Sequence, residues 1–326
     1  MKIERNLGMD LVRATEAAAL RAGRLMGRGD KNAADQAAVD AMRFALDGVA
    51  MDGVVVIGEG EKDAAPMLYT GEHVGTGEGA ELDVAVDPVE GTTLLAEGMP
   101  GAIAVVAVAE RGSLYTWGGI AYMDKLAVGP GALGVIDIDA PVAENIRNVA
   151  RALRKRPSDV TVVVLDRPRH QSLIAQIRAT GARIKLILHG DVSAGIMTAV
   201  EEPPADMLMG IGGAPEAVIT ACAMKCLGGE IQCRLWPRDD AERALVAADA
   251  IDIKRVYRTA DLVRGESVYL AATGITDGEF LRGVRYVSGG ARTHSVAMRS
   301  VSGTVRYIEA RHDLNKLMRI SGVDYE

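Results

Sequence analysis

The sequence has few cysteines and no long apolar run. Its 326 residues include 3 cysteines, Cys222, Cys226 and Cys233, and these form neither a disulfide framework nor a pair of C-x-x-C units. No apolar run approaches the roughly 18 residues that a membrane-spanning helix needs. The N-terminal residues lead into an amphipathic stretch instead of an apolar signal core. These absences predict a cytoplasmic protein.

An excess of positive charge is also missing. The net charge of −7 argues against broad binding to nucleic acid or to anionic membranes. It leaves room for a few local Arg and Lys residues that hold an anionic substrate. The 48% hydrophobic and 25% charged content is typical of soluble globular proteins. The length suits about two core-bearing lobes of roughly 150 residues each.

The most informative stretch is acidic and covers residues 81–93. Its apolar run, Val84-Ala85-Val86, meets Asp87-Pro88, and because proline lacks an N–H we expect the strand to end there. Glu90 and Gly91-Thr92-Thr93 follow. Two acids three residues apart at a strand end can converge on Mg²⁺ or Mn²⁺, which prefer oxygen ligands. The alternative is an ordinary polar turn.

Two earlier segments place further acids at the ends of predicted elements. Helical spacing predicts a helix over residues 9–27 and a second that starts near Asn32, with Lys31 and Asp35 at its opening. Asp35 either complements the helix dipole or points into a cleft. A short strand over residues 54–57 precedes Gly58-Glu59-Gly60-Glu61. Glu59 would project from the strand end, while Glu61 suits an exposed turn.

The pattern changes near the middle of the chain. Strand character over 103–108 and 117–123 predicts antiparallel strands and a mixed first lobe. A helix over 142–156 stops at Pro157, where we place the boundary between a lobe of residues 1–157 and a lobe of residues 158–326. Strands over 160–165, 184–188 and 207–210 then alternate with helices over 170–180, 192–200 and 215–227. This alternation predicts βαβ units and a parallel sheet.

The last part of the chain has weaker patterns. Residues 230–266 are charged and predict a peripheral helix and loops. A strand over 269–272 and alternating residues over 304–308 indicate further, antiparallel strands.

Polar residues follow each of the three alternating strands, where ligands bind in parallel sheets. These segments are Asp166-Arg167-Pro168-Arg169, His189-Gly190-Asp191 and Gly212-Gly213-Ala214-Pro215-Glu216. The glycine-rich start of a helix in the third segment suits a phosphate, because backbone N–H groups point toward it. Arg167 and Arg169 are either surface charges or phosphate ligands.

Several of these segments together resemble the class II, GlpX-type fructose-1,6-bisphosphatases. The segments are residues 29–35 (Gly-Asp-Lys-Asn-Ala-Ala-Asp), 57–61 (Ile-Gly-Glu-Gly-Glu), 87–92 (Asp-Pro-Val-Glu-Gly-Thr), 167–170 (Arg-Pro-Arg-His) and 210–216 (Gly-Ile-Gly-Gly-Ala-Pro-Glu). The third is similar to the signature of the wider lithium-sensitive sugar and inositol phosphatase superfamily. The resemblance is ordered and covers nearly the whole chain.

The resemblance implies a layered α/β sandwich, with a mixed-sheet metal-binding first lobe and a largely parallel sugar-phosphate-binding second lobe. It implies hydrolysis of fructose 1,6-bisphosphate with Mg²⁺ or Mn²⁺, in gluconeogenesis or a carbon-fixation cycle, by a homo-oligomer such as a dimer or tetramer. The implied metal ligands are Asp35, Glu59, Asp87, Glu90 and Glu216. The implied substrate contacts are Glu90, Gly91, Thr92, Tyr122, Arg167, Pro168, Arg169, His189, Gly190, Asp191 and Gly213. The implied catalytic residues are Thr92, Asp35, Glu59 and Lys31. Thr92 would orient or activate the attacking water, and Lys31 would contact the leaving phosphate or a ligand carboxylate.

Two departures and three alternatives accompany the resemblance. This chain has His189 where many members have Asp, and its segment between Leu227 and Ser267 is shorter than in some members. A sugar one carbon longer, sedoheptulose 1,7-bisphosphate, fits the same anchors, so a dual activity stays open. Inositol monophosphates are a further substrate class, and a non-catalytic regulator that binds sugar phosphate is the alternative outside the enzymes.

Overall fold

A computed structural model describes residues 7–60, 67–116, 119–248, 250–321 and 323–325. Its helices are α1 (Leu7–Ala22), α2 (Lys31–Asp47), α3 (Thr92–Ala96), α4 (Val142–Ala152), α5 (Gln171–Ala179), α6 (Asp191–Met197), α7 (Ala214–Leu227), α8 (Asp240–Ala248), α9 (Thr259–Leu262) and α10 (Leu314–Ser321). Its strands are β1 (Met51–Ile57), β2 (His73–Val74), β3 (Ala80–Glu90), β4 (Ile103–Glu110), β5 (Tyr122–Val128), β6 (Thr161–Leu165), β7 (Arg183–Ile187), β8 (Met207–Gly213), β9 (Glu230–Leu235), β10 (Tyr257–Arg258), β11 (Val268–Gly274), β12 (Arg285–Val287), β13 (Gly290–Arg299) and β14 (Thr304–Asp313).

The chain divides into two compact units. The first contains Met1–Leu114 and Gly265–Glu326, and the second contains Tyr115–Arg264. The division therefore does not fall at residue 157, where the helix-stopping proline suggested a boundary. The physical reason is strand pairing: β11 lies beside β4 over its whole length, so the C-terminal strands belong to the same sheet as the N-terminal ones.

The sheet of the first unit has the order β12-β13-β11-β4-β3-β1-β2, with β14 beside β13. β1 and β3 are parallel, whereas β3, β4, β11, β13 and β14 pair antiparallel. Alternate residues of a strand face the same side, and Leu82, Val84 and Val86 of β3 join one buried core with Leu11 of α1 and Met42 of α2. The mixed sheet that the sequence predicted for the N-terminal part is confirmed.

The predicted end of β3 is wrong. The strand continues through Asp87-Pro88 to Glu90. Its pairing with β4 shifts register between Asp87 and Glu90, and its pairing with β1 stops at Ala85. Pro88 therefore lies in an irregularity of the ladder, where a missing N–H is tolerated.

The sheet of the second unit has the order β10-β9-β5-β8-β6-β7. β6 is parallel to β7 and β8, as the alternating pattern predicted, but β5 runs antiparallel to both β8 and β9. The sheet is thus mixed, and not largely parallel. The α/β class itself is confirmed, with strands and helices over residues 160–227 close to their predicted positions.

Two local predictions in this unit need correction. The strand expected over 117–123 is observed as β5, Tyr122–Val128, and residues 117 and 118 lie outside the described residues. Residues 230–235 form β9, beside β5 and β10, where we expected peripheral structure. Apolar residues of β6, including Val162 and Val164, pack with Ile146 and Val149 of α4 in a core of the second unit.

Across the described residues, no helix has the length and apolar character needed to span a membrane.

Candidate active site

Two carboxylic acids of the first unit, Asp35 of α2 and Glu59 just after β1, are hydrogen-bonded to each other. Burial and the nearby charge of Asp35 raise the pKa of Glu59 to about 8. Burial also raises the pKa of Asp35. The raised pKa values favour a protonated pair, and a hard cation that binds the two carboxylates would replace the proton.

The helix α2 is capped by another residue, so Asp35 is not needed for this role. Asp30 is the N-cap residue, and its side chain accepts a hydrogen bond from the Ala33 N–H at 2.9 Å. The first turn contains no acid, so Asp35 lies beyond the reach of the strongest dipole effect. Lys31 is the first residue of the helix and is exposed. The structure therefore disfavours a purely dipole-related role for Asp35.

The end of β3 arranges a second set of polar groups. The Asp87 carboxylate accepts a hydrogen bond from the Val89 N–H at 3.1 Å, and the Thr92 hydroxyl donates to the Val89 carbonyl at 3.1 Å. Gly91, with a φ of 89°, is the N-cap of α3. Only glycine adopts this left-handed conformation readily, and Gly91 links the buried Glu90 at the end of β3 to Thr92 at the start of α3.

The donor set in the first unit consists of carboxylate and hydroxyl oxygens. In the described parts of the chain, no three Asp, Glu, His or Cys side chains converge into one metal-binding group. The hydrogen-bonded pair of Asp35 and Glu59 nevertheless fits a divalent cation, because its repulsion is relieved only by a proton. Oxygen-only ligands suit Mg²⁺ and Mn²⁺ better than softer metals.

In the second unit, the ends of β6, β7 and β8 bring the predicted cations together. The Arg167 Nη2 atom lies 3.2 Å from the His189 Nδ1 atom. Arg169 donates to the Ile211 carbonyl at 2.8 Å, and its guanidinium carbon lies 5.1 Å from the ring centroid of Tyr122. Burial is the main cause that lowers the pKa of Arg169; Tyr122 opposes this shift, and repulsion from Arg167 adds to it. The result is a positively charged edge of the sheet.

A buried ion pair lies at the same edge. The Lys125 ammonium of β5 donates to the Asp191 carboxylate of α6 at 2.6 Å, with both side chains buried. Burial opposes the charge on Lys125, but Asp191 and Glu216 raise its pKa overall. The ion pair fixes Asp191 at the first residue of α6, next to Gly190, which is the N-cap.

Glu216 also belongs to this cluster. Its Oε2 atom is buried and has no hydrogen-bond partner among the described residues. Burial, then repulsion from Asp191, raises the pKa of Glu216. A Cβ atom on Gly213 would lie 1.8 Å from this oxygen, and one on Gly212 would lie 1.8 Å from an Asp191 oxygen. These glycines let both carboxyl groups lie against the backbone. An orphaned buried oxygen fits the predicted metal-ligand role.

Sequence reasoning missed two residues that support this site. His170 was noted only as part of a motif, yet its Nδ1 lies 2.7 Å from the Leu165 carbonyl and its Nε2 accepts from the Ile211 N–H at 2.8 Å. It thereby joins the ends of β6 and β8, and burial lowers its pKa. Lys125 was not noted at all. Its signal was a lysine that, with Asp124, interrupts an otherwise apolar and aromatic strand.

The predicted site residues separate by unit. Lys31, Asp35, Glu59, Asp87, Glu90, Gly91 and Thr92 lie in the first unit; Tyr122, Arg167, Pro168, Arg169, His189, Gly190, Asp191, Gly213 and Glu216 lie in the second. Pro168 begins a short 3₁₀ turn after β6. Glu61 lies outside the described residues. Among these residues, the first unit contains mainly oxygen donors, whereas the second contains two arginines and a histidine together with the acids Asp191 and Glu216.

Comparison with known proteins identifies the family. The family model described as "Bacterial fructose-1,6-bisphosphatase, glpX-encoded" matches residues 5–312. The chain is 44% identical to "Fructose-1,6-bisphosphatase 1 class 2" of Escherichia coli K12, with 96% of this chain and 97% of that protein covered. Its identity to "Fructose-1,6-bisphosphatase class 2" of Shigella flexneri is also 44%, with the same coverage. The chain belongs to the family of glpX-encoded bacterial fructose-1,6-bisphosphatases, and the resemblance stated from the sequence is confirmed.

Proposed function

We propose that the protein hydrolyses the 1-phosphate of fructose 1,6-bisphosphate, releasing fructose 6-phosphate and inorganic phosphate. The observation that carries the proposal is the hydrogen-bonded carboxyl pair of Asp35 and Glu59, in a chain of this family. A protein that only binds sugar phosphate has no use for two acids in such close contact, because their repulsion also weakens the binding of an anion. Metal-dependent hydrolysis does have a use for them, because a divalent cation bound by both carboxylates would offset their repulsion.

Asp35, Glu59, Asp87 and Glu90 would hold Mg²⁺ or Mn²⁺, and Glu216 is likewise proposed as a metal ligand. When bound, such ions neutralise the phosphoryl charge and lower the pKa of a coordinated water. The protein's own contribution is to exclude competing cations from these acids and to keep the carboxylates oriented. The backbone bond from Val89 to Asp87 is one such restraint.

The Thr92 hydroxyl would position the attacking water. Its proton is donated to the Val89 carbonyl, so its oxygen lone pairs are left to accept a hydrogen bond from that water. A water held in this way would keep a lone pair for attack on the phosphorus. Lys31, exposed at the start of α2, would neutralise charge on the departing phosphate. Positioning and charge neutralisation supply most of the barrier reduction in phosphoryl transfer.

The second unit would anchor the other end of the substrate. Arg167 and Arg169 offer guanidinium donors to the 6-phosphate, which guanidinium groups bind through paired hydrogen bonds. Tyr122 restrains Arg169 through its ring. Asp191, held by Lys125, would accept a hydrogen bond from a sugar hydroxyl. The backbone at Gly213 begins α7 and suits an oxygen of the substrate. We further propose that the enzyme acts in the cytoplasm as a homo-oligomer and serves gluconeogenesis.

The test is phosphate release from fructose 1,6-bisphosphate and sedoheptulose 1,7-bisphosphate, measured side by side with EDTA, Mg²⁺ or Mn²⁺. We expect hydrolysis of the first substrate only when a metal is present. The ratio of the two rates measures any dual activity. A folded Glu59→Gln variant serves as the inactive control. Absence of hydrolysis by folded protein with both metals would instead support the non-catalytic regulator.

A further inference from the structure

A cavity of about 400 Å³ opens in the first unit, where the first turn of α1 meets β11, β13 and β14. Tyr269, Arg299, Ser302, Thr304 and Arg306 line it. None of these residues is among the predicted catalytic, substrate or metal residues. The cavity is therefore a feature that the proposed catalytic function does not explain.

The register of the β13–β14 hairpin places the two arginines on one face of the sheet. Arg299 pairs with Thr304, and Ala297 pairs with Arg306. Residues two apart on a strand face the same side, and diagonal neighbours of this kind are within reach of long side chains. Arg299 also pairs with Tyr269 of β11. Both guanidinium groups consequently border the same cavity.

Neither arginine is neutralised within the described part of the protein. No ion pair joins Arg299 or Arg306 to an acid there, and none of the described residues that line the cavity is acidic. The Nε–H of Arg299 is buried and has no hydrogen-bond acceptor among the described residues. Buried donors in native proteins nearly always find an acceptor. The missing acceptor points to a ligand oxygen.

The arginine with the orphaned donor is also held in place. The guanidinium carbon of Arg299 lies 5.0 Å from the ring centroid of Tyr269, a distance at which a cation and an aromatic ring attract. Such a contact reduces the loss of side-chain freedom on binding. Gly8 of α1 lies close to the same ring, since a Cβ atom there would be in ordinary van der Waals contact with Tyr269 Cδ1, at 3.5 Å.

The helix α1 adds a further preference for negative charge. It is 16 residues long, and Gly8 and Met9 of its first turn line the cavity. The first N–H groups of a helix have no partner inside the helix, and the dipole places partial positive charge at this end. Ser302 and Thr304 contribute hydroxyl groups at the rim. Although Asp10 also lies in this first turn, it does not line the cavity, and the described polar side chains that do are arginines and hydroxyl groups, which can donate to an oxyanion.

We propose that this cavity binds the phosphate group of a small phosphorylated metabolite, at a second site apart from the predicted catalytic residues. Arg299 and Arg306 would contact the phosphate oxygens, as guanidinium groups commonly do. A volume of about 400 Å³ also accommodates an organic portion beside the phosphate. The residues that would bind the phosphate belong to the β13–β14 hairpin and α1 and are not among the predicted catalytic residues. A metabolite would therefore bind here without being hydrolysed.

The experiment is a calorimetric titration with inorganic phosphate in the presence of EDTA. It uses the full chain carrying Arg167→Gln and Arg169→Gln, so that the other pair of arginines does not bind the anion. Arg306→Gln is then added to this background, and Arg311→Gln is added separately as the control. Arg311 is exposed on the same strand and lies opposite Arg292 on the other face. Both additions remove one positive charge from β14.

We expect the background protein to bind phosphate, and Arg306→Gln to weaken this binding by about tenfold or more. Arg311→Gln should change it less than about twofold, because only general electrostatics is altered. Arg306 is exposed, so its loss should leave the thermal midpoint unchanged. Equal binding by the Arg306 and Arg311 variants would overturn the proposal. So would the absence of phosphate binding to the background protein.

Discussion

The single hydroxyl of Thr92 allows a clear prediction at the scale of the residue. Its proton is donated to the Val89 carbonyl at 3.1 Å, so its oxygen is an acceptor for the attacking water. We expect Thr92→Ala to lower kcat by about 100-fold, the size typical of losing a positioned proton-transfer group. KM should change little, because the substrate anchors remain. Steady-state kinetics with fructose 1,6-bisphosphate provide the measurement.

A neighbouring threonine supplies the control for this substitution. Thr93 lies in the same first turn of α3, so Thr93→Ala changes helix propensity and hydroxyl content by the same amount. It should retain nearly full kcat. A Thr92→Ala enzyme that turns over at the wild-type rate would exclude the water-positioning role.

Arg169 should show the opposite kinetic pattern. It is proposed to contact the phosphate that does not react, and interactions that are equal in the ground and transition states affect KM and leave kcat largely unchanged. We expect Arg169→Gln to raise KM by at least about tenfold with kcat nearly retained. Arg178→Gln is the comparison, since Arg178 is exposed at the end of α5. A fall in kcat alone would indicate that Arg169 contacts the reacting phosphate instead.

At the scale of the secondary-structure elements, the buried ion pair between Lys125 of β5 and Asp191 of α6 contributes to the stability of the second unit. Removing one partner of such a pair leaves a buried charge without compensation, which costs about 3–5 kcal/mol. We therefore expect Lys125→Met to lower the free energy of unfolding by about that amount, because Asp191 remains buried. Chemical denaturation followed by circular dichroism measures this difference.

A half-exposed pair gives the matched comparison. Lys155 contacts Asp206 at 2.5 Å, a distance similar to that in the buried pair, but its side chain is 37% exposed. Asp206 also accepts the Thr161 N–H at 2.8 Å, so it retains a partner when the lysine is lost. Lys155→Met should cost about 1 kcal/mol or less. Equal effects of the two substitutions would show that burial does not govern the Lys125 pair.

The elements themselves were largely predictable, because they follow from local periodicity. The alternation over residues 160–227 correctly predicted β6, β7, β8 and the helices between them. Pairing partners were less predictable, since they depend on residues distant in sequence. The antiparallel placement of β5 between β8 and β9 has no local signal. The extension of β3 past Pro88 depends on where β1 stops pairing, which is again a non-local property.

The same distinction applies to the candidate site. Carboxylates after strand ends and the arginines of residues 167–169 were visible as motifs, and the family is confirmed. The roles of Lys125 and His170 were not visible, because each depends on contacts across the sheet: Lys125 with Asp191 and His170 with Ile211. The catalytic and metal-binding roles themselves remain predictions that the substitutions above would test.

At the scale of the whole molecule, the division into units predicts which fragments fold. Residues 115–264 contain the complete second sheet and an apolar core of their own. We expect this fragment to unfold in one cooperative transition when heated. A fragment of residues 158–326, cut at the proline-based boundary, lacks β5, which joins β8 to β9. It also leaves β11 without β4, and should show no cooperative transition.

Thermal unfolding monitored by circular dichroism compares the two fragments directly. The reverse result would be a cooperative transition for residues 158–326 and none for residues 115–264. It would support a boundary between the units at residue 157.

The pairing of β4 with β11 has a consequence for the protein while it is being made. Domains generally fold as their residues leave the ribosome, and the second unit is fully synthesised by residue 264. The first unit cannot complete its sheet by then, because β4 has no neighbour on its β11 side until residues 268–274 have been added. An unpaired strand edge of this kind invites association with other chains. The N-terminal half of a nascent chain is thus the part most in need of a chaperone, although it is the first to emerge.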